Sequence, residues 1–595
     1  MNKELKLALC LGLTVSLTLG LASNVLAELP EEPLSKVQAS KSAFNTENVS
    51  LPAVAIEPLR NKALPTEPGP IKFASPFQVD FNLDKSIGWT QTNYQGQQYD
   101  VLKYRLTSPN AYSLNLGFSK YNMPDGGKMF VYIDGYENLL RPFTADDNED
   151  HGQLWLPVVD GKQITIEINI PSEQRKNLEL ELDSVNQGFL DIHNLQQEVE
   201  GLKSGSCNID VACPQSSGWA DQIRSVAIYT INGQGLCTGA AINTTSEVKP
   251  YFLTADHCGV SASIAPTVVA FWNFNNSTCR PVGSASSGSN GDGPLTQFNS
   301  GAILRADFSA SDMTLLEFDD PLLPGADIYL AGWSRSTATP NSGVAIHHPA
   351  GGEKRISFEN NPLIITSYLG ASGSGTTHFR VFDWDAGTTE GGSSGSPLFD
   401  VNKRIVGQLH GGFAACGNNL SDWYGRLSVS WTGGGQNSSR LSNWLDPTST
   451  GAVTRDGRDV DPDQYEADND SANATVIQLG ASQQHNIVPV TDQDWVKFTL
   501  TEETSVVITT KASAGADTRM WLYNAAVAEL DFNDNAGSGV LTSRIRADDL
   551  PAGEYFVRVD ESGNDDSIRY TLQISTISEG DLLLDIVPAI MSGIK

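Results

Sequence analysis

A chain of 595 residues is too long for one domain and sets an expectation of three or four. Hydrophobic residues make up 39% and charged residues 18%, which excludes a disordered or fibrous chain. A formal net charge of −31 argues against nucleic acid and anionic membrane surfaces as partners and suits a soluble exported protein.

Lys3 and Lys6 precede an apolar run from Leu7 to Leu21, and Val25-Leu26-Ala27 offers small residues for cleavage. This predicts a secretory signal peptide over 1–27, taking Cys10 with it. No other run is long enough to span a bilayer, so the expected location is secreted and extracellular, by Gram-negative-type export. Residues 28–70 are rich in Pro, Ser and Ala, and predict a flexible leader. Residues 71–195 alternate with period two in Tyr112–Phe118, Met129–Ile133, Ile164–Ile168 and Leu178–Leu182, punctuated by Asp125-Gly126-Gly127 and Asp160-Gly161. They predict an antiparallel β domain. The polar stretch 196–206 reads as an exposed junction, so 28–203 is taken as a pro-region of leader plus β domain.

The segment 204–459 has short, Gly-rich apolar runs such as Ile223–Ile231, Thr314–Phe318 and Arg404–Leu409, which fit an all-β barrel architecture. Its one helix candidate is Ser438–Leu445, stopped by Pro447. Residues 463–576 alternate again and hold 19 Asp+Glu against 7 Lys+Arg, which predicts an acidic β-sandwich. The tail 577–595 has an apolar patch from Leu582 to Met591 and no assigned role. The fold class is all-β throughout.

Six cysteines remain after Cys10, namely Cys207, Cys213, Cys237, Cys258, Cys279 and Cys416, all in the middle segment. An even number in an exported chain predicts three disulfides, with 15 pairings open. There is no CxxC to suggest zinc.

The chemistry concentrates in Gly391-Gly392-Ser393-Ser394-Gly395-Ser396-Pro397 and, 137 residues before Ser394, in Thr254-Ala255-Asp256-His257-Cys258. A serine hydroxyl needs an imidazole as general base, and the imidazole needs a carboxylate to fix its tautomer. Glycines let the backbone curl so that two N–H groups converge on one point beside the hydroxyl. Ser394 is therefore expected as nucleophile, His257 as base, and the N–H groups of Gly392 and Ser394 as the oxyanion hole. Asp312 opens the apolar run Met313–Phe318, which would carry it into a core, and it is the expected carboxylate. Asp256 adjoins the histidine, and neighbours usually point apart, so it is read as structural or solvated. The order His257, Asp312, Ser394 is the chymotrypsin-type order of a serine protease.

At these residues the chain resembles the bacterial lysyl endopeptidases, a branch of the chymotrypsin fold. The motifs are Ser204–Pro214, Tyr251–Gly259, Asn276–Arg280, Asn290–Gly293, Ile346–Pro349, Lys354–Ser357, Gly407–Gly412, Ser421-Asp422, Tyr424–Arg426 and Trp431–Gly435. The resemblance implies a chymotrypsin-like double β-barrel, a triad of His257, Asp312 and Ser394, and disulfides Cys207–Cys416, Cys213–Cys279 and Cys237–Cys258. It also implies that Asp422 carries the charge selecting a cationic P1 side chain. A trypsin places that aspartate six residues before the nucleophile, where this chain has Thr388. His410 matches a family histidine on which an aromatic ring stacks, and Tyr368 is the nearest aromatic to take that place. The changed wall favours Lys at P1 and leaves Arg open, since ammonium and guanidinium differ in shape. Protein and peptide substrates are the implied partners.

Ser393 precedes the nucleophile where many animal zymogens have an aspartate, so activation through that ion pair is not expected. The N-terminal β region, with Ser113–Phe118 and His151–Trp155, resembles pro-regions of the same family, which makes the pro-region an intramolecular inhibitor or chaperone. Lys203 suggests self-cleavage before Ser204. Residues 463–576 resemble the bacterial pre-peptidase C-terminal domain, through Asp463–Asp468, Asp492–Phe498 and Leu550–Val559. Its acids offer oxygen ligands for a structural Ca²⁺, against the competing reading of a solvated acidic surface. No catalytic cofactor is expected, and His347-His348 is read without a metal; His378, His151, His193 and His485 are read as surface or core histidines. The alternative functions are a non-catalytic binding or adhesion protein on a protease scaffold, and an esterase using the same triad.

Overall fold

The computed structural model describes residues 29–577, except 41–42, 65–68, 194–204, 285, 288–290, 324, 371–374, 419, 489–490, 513–516, 538–539 and 563–567. The expected signal peptide, the junction at Lys203 and all but the first residue of the tail lie outside the described residues. Among these residues no helix is long and apolar enough to cross a membrane.

The N-terminal region is two stacked sheets. One runs Thr46–Ser50, Gln97–Thr107, Gln163–Pro171, Lys128–Tyr132, with Thr90–Tyr94 also on Gln97–Thr107. The other runs Ala74–Asn82, Glu179–Gly188, Ser113–Asn122, Leu154–Trp155, with Val159–Asp160 also on Ser113–Asn122. Alternation delivers Leu114, Leu116, Phe118, Ile164, Ile166, Ile168, Leu180 and Leu182 to the core, all buried. Leader residues 29–64 depart from the flexible expectation where they are described. Thr46–Ser50 pairs parallel with Lys103–Thr107, short helices form at Leu34–Val37 and Ile56–Arg60, and Leu29, Leu34, Leu51 and Ala63 are buried. Prolines there limit regular structure without preventing docking, because a few apolar side chains suffice to anchor an extended segment.

The cysteine-bearing region holds two larger sheets. The eight-stranded one runs Phe298–Ser300, Val269–Phe271, Val226–Ile231, Gly235–Ala241, Tyr251–Ala255, Met313–Phe318, Ala302–Phe308, and accepts Ile71–Lys72 beside Gly235–Ala241. The ten-stranded one runs Ile209–Asp210, Arg355–Glu359, Gly343–His347, Pro397–Phe399, Ile405–Gly412, Asp422–Arg426, His378–Val381, Ile364–Thr366, with Trp333–Ser334 and Thr454–Arg455 alongside. The core between them gathers Val226, Leu253, Leu315, Trp333, Ile346, Ile356 and Phe399. The expected helix over 438–445 is a 3₁₀ turn at Asn437–Ser439 and a single α turn at Ser442–Leu445. Arg440 between them is extended, at φ −136° and ψ 144°.

Residues 475–576 form a third sandwich. Its sheets run Thr475–Val476, Asp494–Leu500, Gly553–Glu561, Thr518–Asn524, Glu529–Asn533, and Ser482–Asn486, Arg569–Thr576, Thr504–Ala512, Arg544–Leu550. Val496, Phe498, Val506, Ile508, Leu522, Val557, Leu572 and Ile574 fill it. The chain is all-β, as expected.

Candidate active site

The eight-stranded sheet supplies His257 and Asp312, and the ten-stranded sheet supplies Ser394. Tyr251–Ala255 ends in a 3₁₀ turn, Asp256–Cys258, that carries His257 out of the sheet, and the adjacent strand Met313–Phe318 begins directly after Asp312. Asp312 adopts a left-handed backbone, φ 54°, held by Gln408 Nε2 donating to its carbonyl at 3.0 Å. Its buried carboxylate receives the His257 backbone N–H on Oδ1 at 2.9 Å and His257 Nδ1 on Oδ2 at 2.8 Å. Both bonds fix the ring, and the Nδ1 contact with a carboxylate suits the tautomer that carries its proton there. Nε2 is buried and has no hydrogen-bond partner among the described residues. Asp256 donates its backbone N–H to the Asp312 carbonyl at 3.1 Å, and burial raises its carboxyl pKa.

Two consecutive tight turns present Ser394. Ser393 N donates to Glu390 O at 3.0 Å and Ser396 N to Ser393 O at 2.9 Å. The third residue of each turn is a glycine with positive φ, Gly392 at 86° and Gly395 at 84°. A Cβ on Gly395 would lie 2.2 Å from Thr254 Oγ1, so conformation and space both demand glycine. Ser394 itself is half-buried at the apex. Its carbonyl accepts from Thr238 N at 2.9 Å, and Thr238 Oγ1 donates to Gly392 O at 2.8 Å. Among the described residues the N–H groups of Gly392 and Ser394 donate to nothing. The turn thus offers two free donors beside a hydroxyl, with an unpaired imidazole nitrogen on the facing sheet.

Asp422 starts the strand Asp422–Arg426 and is buried. Its Oδ2 accepts from Trp384 Nε1 at 2.7 Å and Thr389 Oγ1 at 2.6 Å, and the Ala414 backbone N–H adds a third bond. No ion pair reaches it among the described residues, and burial raises its pKa. Thr389 lies five residues before Ser394, so the segment that leads into the Ser394 turn also holds this carboxylate.

His410 stacks on His257, with centroids 5.4 Å apart and planes 14° apart, and Tyr368 stacks on its other face at 3.5 Å and 4°. Tyr368 is thus the aromatic ring in contact with His410. Sequence reasoning passed over His378, whose Nε2 lies 3.0 Å from His410 Nδ1. Burial lowers both imidazoles to about 4. It also missed His347, whose Nδ1 bonds Ser393 Oγ at 2.8 Å while Nε2 meets Ser357 Oγ at 3.1 Å. Burial drops His347 to about 3, so a neutral imidazole anchors the Ser394 turn through Ser393. The only signal for it was His347-His348 itself. The cysteines pair as Cys207–Cys416, Cys213–Cys279 and Cys237–Cys258, the last joining Thr238's strand to the His257 turn.

A second cluster lies in the C-terminal sandwich. Glu466, Asp468 and Asp494 bring carboxylate oxygens within 4.8 Å of one another. Asp468 and Asp494 are buried, and Glu466 Oε1, Asp468 Oδ1 and Asp494 Oδ1 have no hydrogen-bond partner among the described residues. Burial, with the neighbouring carboxylates of Asp492 and Asp463, pushes Glu466 to about 8 and Asp468 to about 7. Orphaned, all-oxygen donors of this kind fit a hard cation such as Ca²⁺.

Residues 202–425 match the family model described as lysyl endopeptidase, C-terminal domain. A lysyl endopeptidase from Pseudomonas aeruginosa is 26% identical over 450 residues, which cover 70% of this chain and 93% of that protein. Among solved structures, the secreted serine protease VesC from Vibrio cholerae is 11% identical, covering 60% of this chain and 97% of its own at a TM-score of 0.25. The pre-peptidase C-terminal domain of a Bacillus anthracis collagenase is 14% identical, covering 17% of this chain and 93% of its own at a TM-score of 0.15. The chain is a serine endopeptidase that is similar to the lysyl endopeptidases, and residues 202–425 match the C-terminal domain of that family.

Proposed function

We propose that the chain is the precursor of a secreted serine endopeptidase that hydrolyses peptide bonds on the carboxyl side of Lys, with Arg the next P1 residue. The observation that carries the specificity is Asp422, a buried carboxylate without a cation, bonded to the segment that forms the nucleophile turn. A substrate ammonium would complete it, whereas a neutral side chain would leave the charge unpaired. In the proposed reaction Ser394 Oγ attacks the scissile carbonyl and His257 Nε2 takes its proton. Asp312 steadies the imidazolium through Nδ1–H, and the N–H groups of Gly392 and Ser394 receive the oxyanion, each worth roughly 3–4 kcal/mol. The amine leaves with the proton from His257. Water, deprotonated by the same nitrogen, then frees the acyl group and restores Ser394.

The three disulfides suit an oxidising compartment and support export. The pro-region 28–203 would act as an intramolecular inhibitor or chaperone and leave by cleavage after Lys203. We further propose that Glu466, Asp468 and Asp494 hold a structural Ca²⁺ in a C-terminal domain with no part in the chemistry. The test of the catalytic reading is labelling of the matured protein with a lysyl phosphonate. The adduct is expected on Ser394, and labelling elsewhere, or only by an uncharged phosphonate, would refute it.

A further inference from the structure

Ile71–Lys72, the first residues of the pro-region's β domain, form a strand inserted into the protease's own sheet. It pairs antiparallel with Gly235–Leu236, Ile71 opposite Leu236 and Lys72 opposite Gly235, and Phe73 N donates to Gln234 O at 2.9 Å. That edge is open because the neighbouring strand Tyr251–Ala255 pairs only with Ala240 and Ala241 at the far end. The same strand carries Thr238, which bonds the carbonyls of Ser394 and Gly392, and Cys237, which is bridged to the His257 turn. Leu236, the partner of Ile71, lies two positions from Thr238, about 7 Å along the strand, so the pro-region crosses beside the Ser394 turn.

The contact is built rather than incidental. Ile71 is fully buried, and its Cδ1 lies 3.1 Å from where a Cβ on Gly392 would stand. Leu64 reaches the same point above Gly391, at 3.8 Å. A Cβ on Gly235 would come within 2.9 Å of Pro70 Cβ, so the glycine lets the two backbones approach. Lys72 N turns back to Ala63 O at 2.9 Å, and Phe189 N and Leu190 N hold Phe73 O at 2.9 and 3.1 Å, which ties the strand to the N-terminal sandwich.

Resting on the proposed function, we infer that Ile71–Lys72 is an autoinhibitory strand, which occupies the edge where the part of a substrate beyond the scissile bond must lie. An extended peptide adds to an open sheet edge through main-chain hydrogen bonds, with side-chain pockets giving selectivity. The pro-region takes that place in advance. It blocks the leaving-group side of the cleft and leaves the Asp422 side and the triad assembled.

The test uses the full chain carrying Lys203→Gln, confirmed uncut by mass spectrometry. A lysyl phosphonate, which extends only to the acyl side, is expected to label Ser394 within tenfold of the matured rate. A peptide with four residues beyond its lysine is expected to be cleaved at least 100-fold more slowly than by the matured protein. Adding Ile71→Asp, which places a carboxylate in the buried slot, is expected to recover at least tenfold of that cleavage. Ile71→Ala, which removes contact without burying a charge, should recover less, and it keeps the test valid if the aspartate variant does not fold. Peptide cleavage by the uncut chain at the matured rate, or no recovery in the alanine variant, would overturn the inference. So would an uncut chain that the phosphonate cannot label although it labels the matured protein, since latency would then reside in the nucleophile turn. A matured protein that resists the phosphonate would refute the catalytic reading instead.

Discussion

Replacing Asp422 with Asn isolates one charge at nearly constant volume. The Asp422 oxygen that accepts from Trp384 Nε1 at 2.7 Å and Thr389 Oγ1 at 2.6 Å can remain an amide oxygen. The amide nitrogen cannot accept, so the variant offers one acceptor fewer to the three donors around residue 422. A bound lysine would lose its only buried counter-charge. Breaking one partner of a buried pair costs about 3–5 kcal/mol, which is roughly 10²–10³·⁵-fold in kcat/KM. The loss should be confined to cationic P1 residues, so a P1 leucine ester should change by less than about threefold. Stability should move the other way. Burial raises the Asp422 pKa in the folded state, so the folded chain holds its proton more tightly than the unfolded one. Stability therefore falls as pH rises from the ordinary carboxylate range through the raised value, and the neutral variant escapes this loss. The assay is kcat/KM on matched Lys, Arg and Leu substrates, with thermal unfolding at neutral pH. An Asp422→Asn protein that cleaves after Lys within threefold of the parent would refute the assignment.

Ser394→Ala should lower peptide hydrolysis by roughly 10⁴–10⁶-fold while leaving thermal unfolding unchanged, read by progress curves and calorimetry. His347→Phe removes the anchor of Ser393 Oγ and should lower kcat at least tenfold with KM within threefold, because the turn loosens while Asp422 is untouched. The imidazoles of His378 and His410 stay neutral down to about 4. They should therefore add no ionisation to the acid limb of kcat/KM between about pH 5 and 8, where Glu390, raised by burial to about 7, titrates beside the Ser394 turn, and a limb that disappears in His378→Gln would show that an imidazole is charged in that range. In the C-terminal sandwich, Glu466 at about 8 and Asp468 at about 7 are raised, so metal-free stability is present in acid and lost as pH climbs through these values. In EDTA this transition should move to lower temperature between pH 6 and 8, Ca²⁺ should reverse the shift, and Glu466→Gln should blunt both effects.

Much of the site is legible in the sequence because its parts are local. The glycines at 392 and 395 announce turns with positive φ, and the two turns found there need them. Asp312 was marked by the apolar run behind it, and the structure brings it to His257 across adjacent strands. Parts that depend on distant pairing left weaker traces. His378 reaches His410 only because its strand pairs with Asp422–Arg426, which in turn pairs with Ile405–Gly412. Residues 28–70 read as loose from their prolines, yet Leu29, Leu34, Leu51 and Ala63 are buried, contacts no local pattern encodes. The short helix failed for the opposite reason. Local apolar spacing in 438–445 was real, but Arg440 turns extended and leaves a single turn.

The central claim is peptide-bond hydrolysis after lysine by Ser394. It is tested most directly by mass spectrometry of the peptides that the matured protein releases from a denatured substrate, beside the same preparation of Ser394→Ala. The account predicts termini at Lys, with Arg a minority, and none in the control. Termini unrelated to basic residues, or equal cleavage by the Ser394→Ala protein, would contradict it.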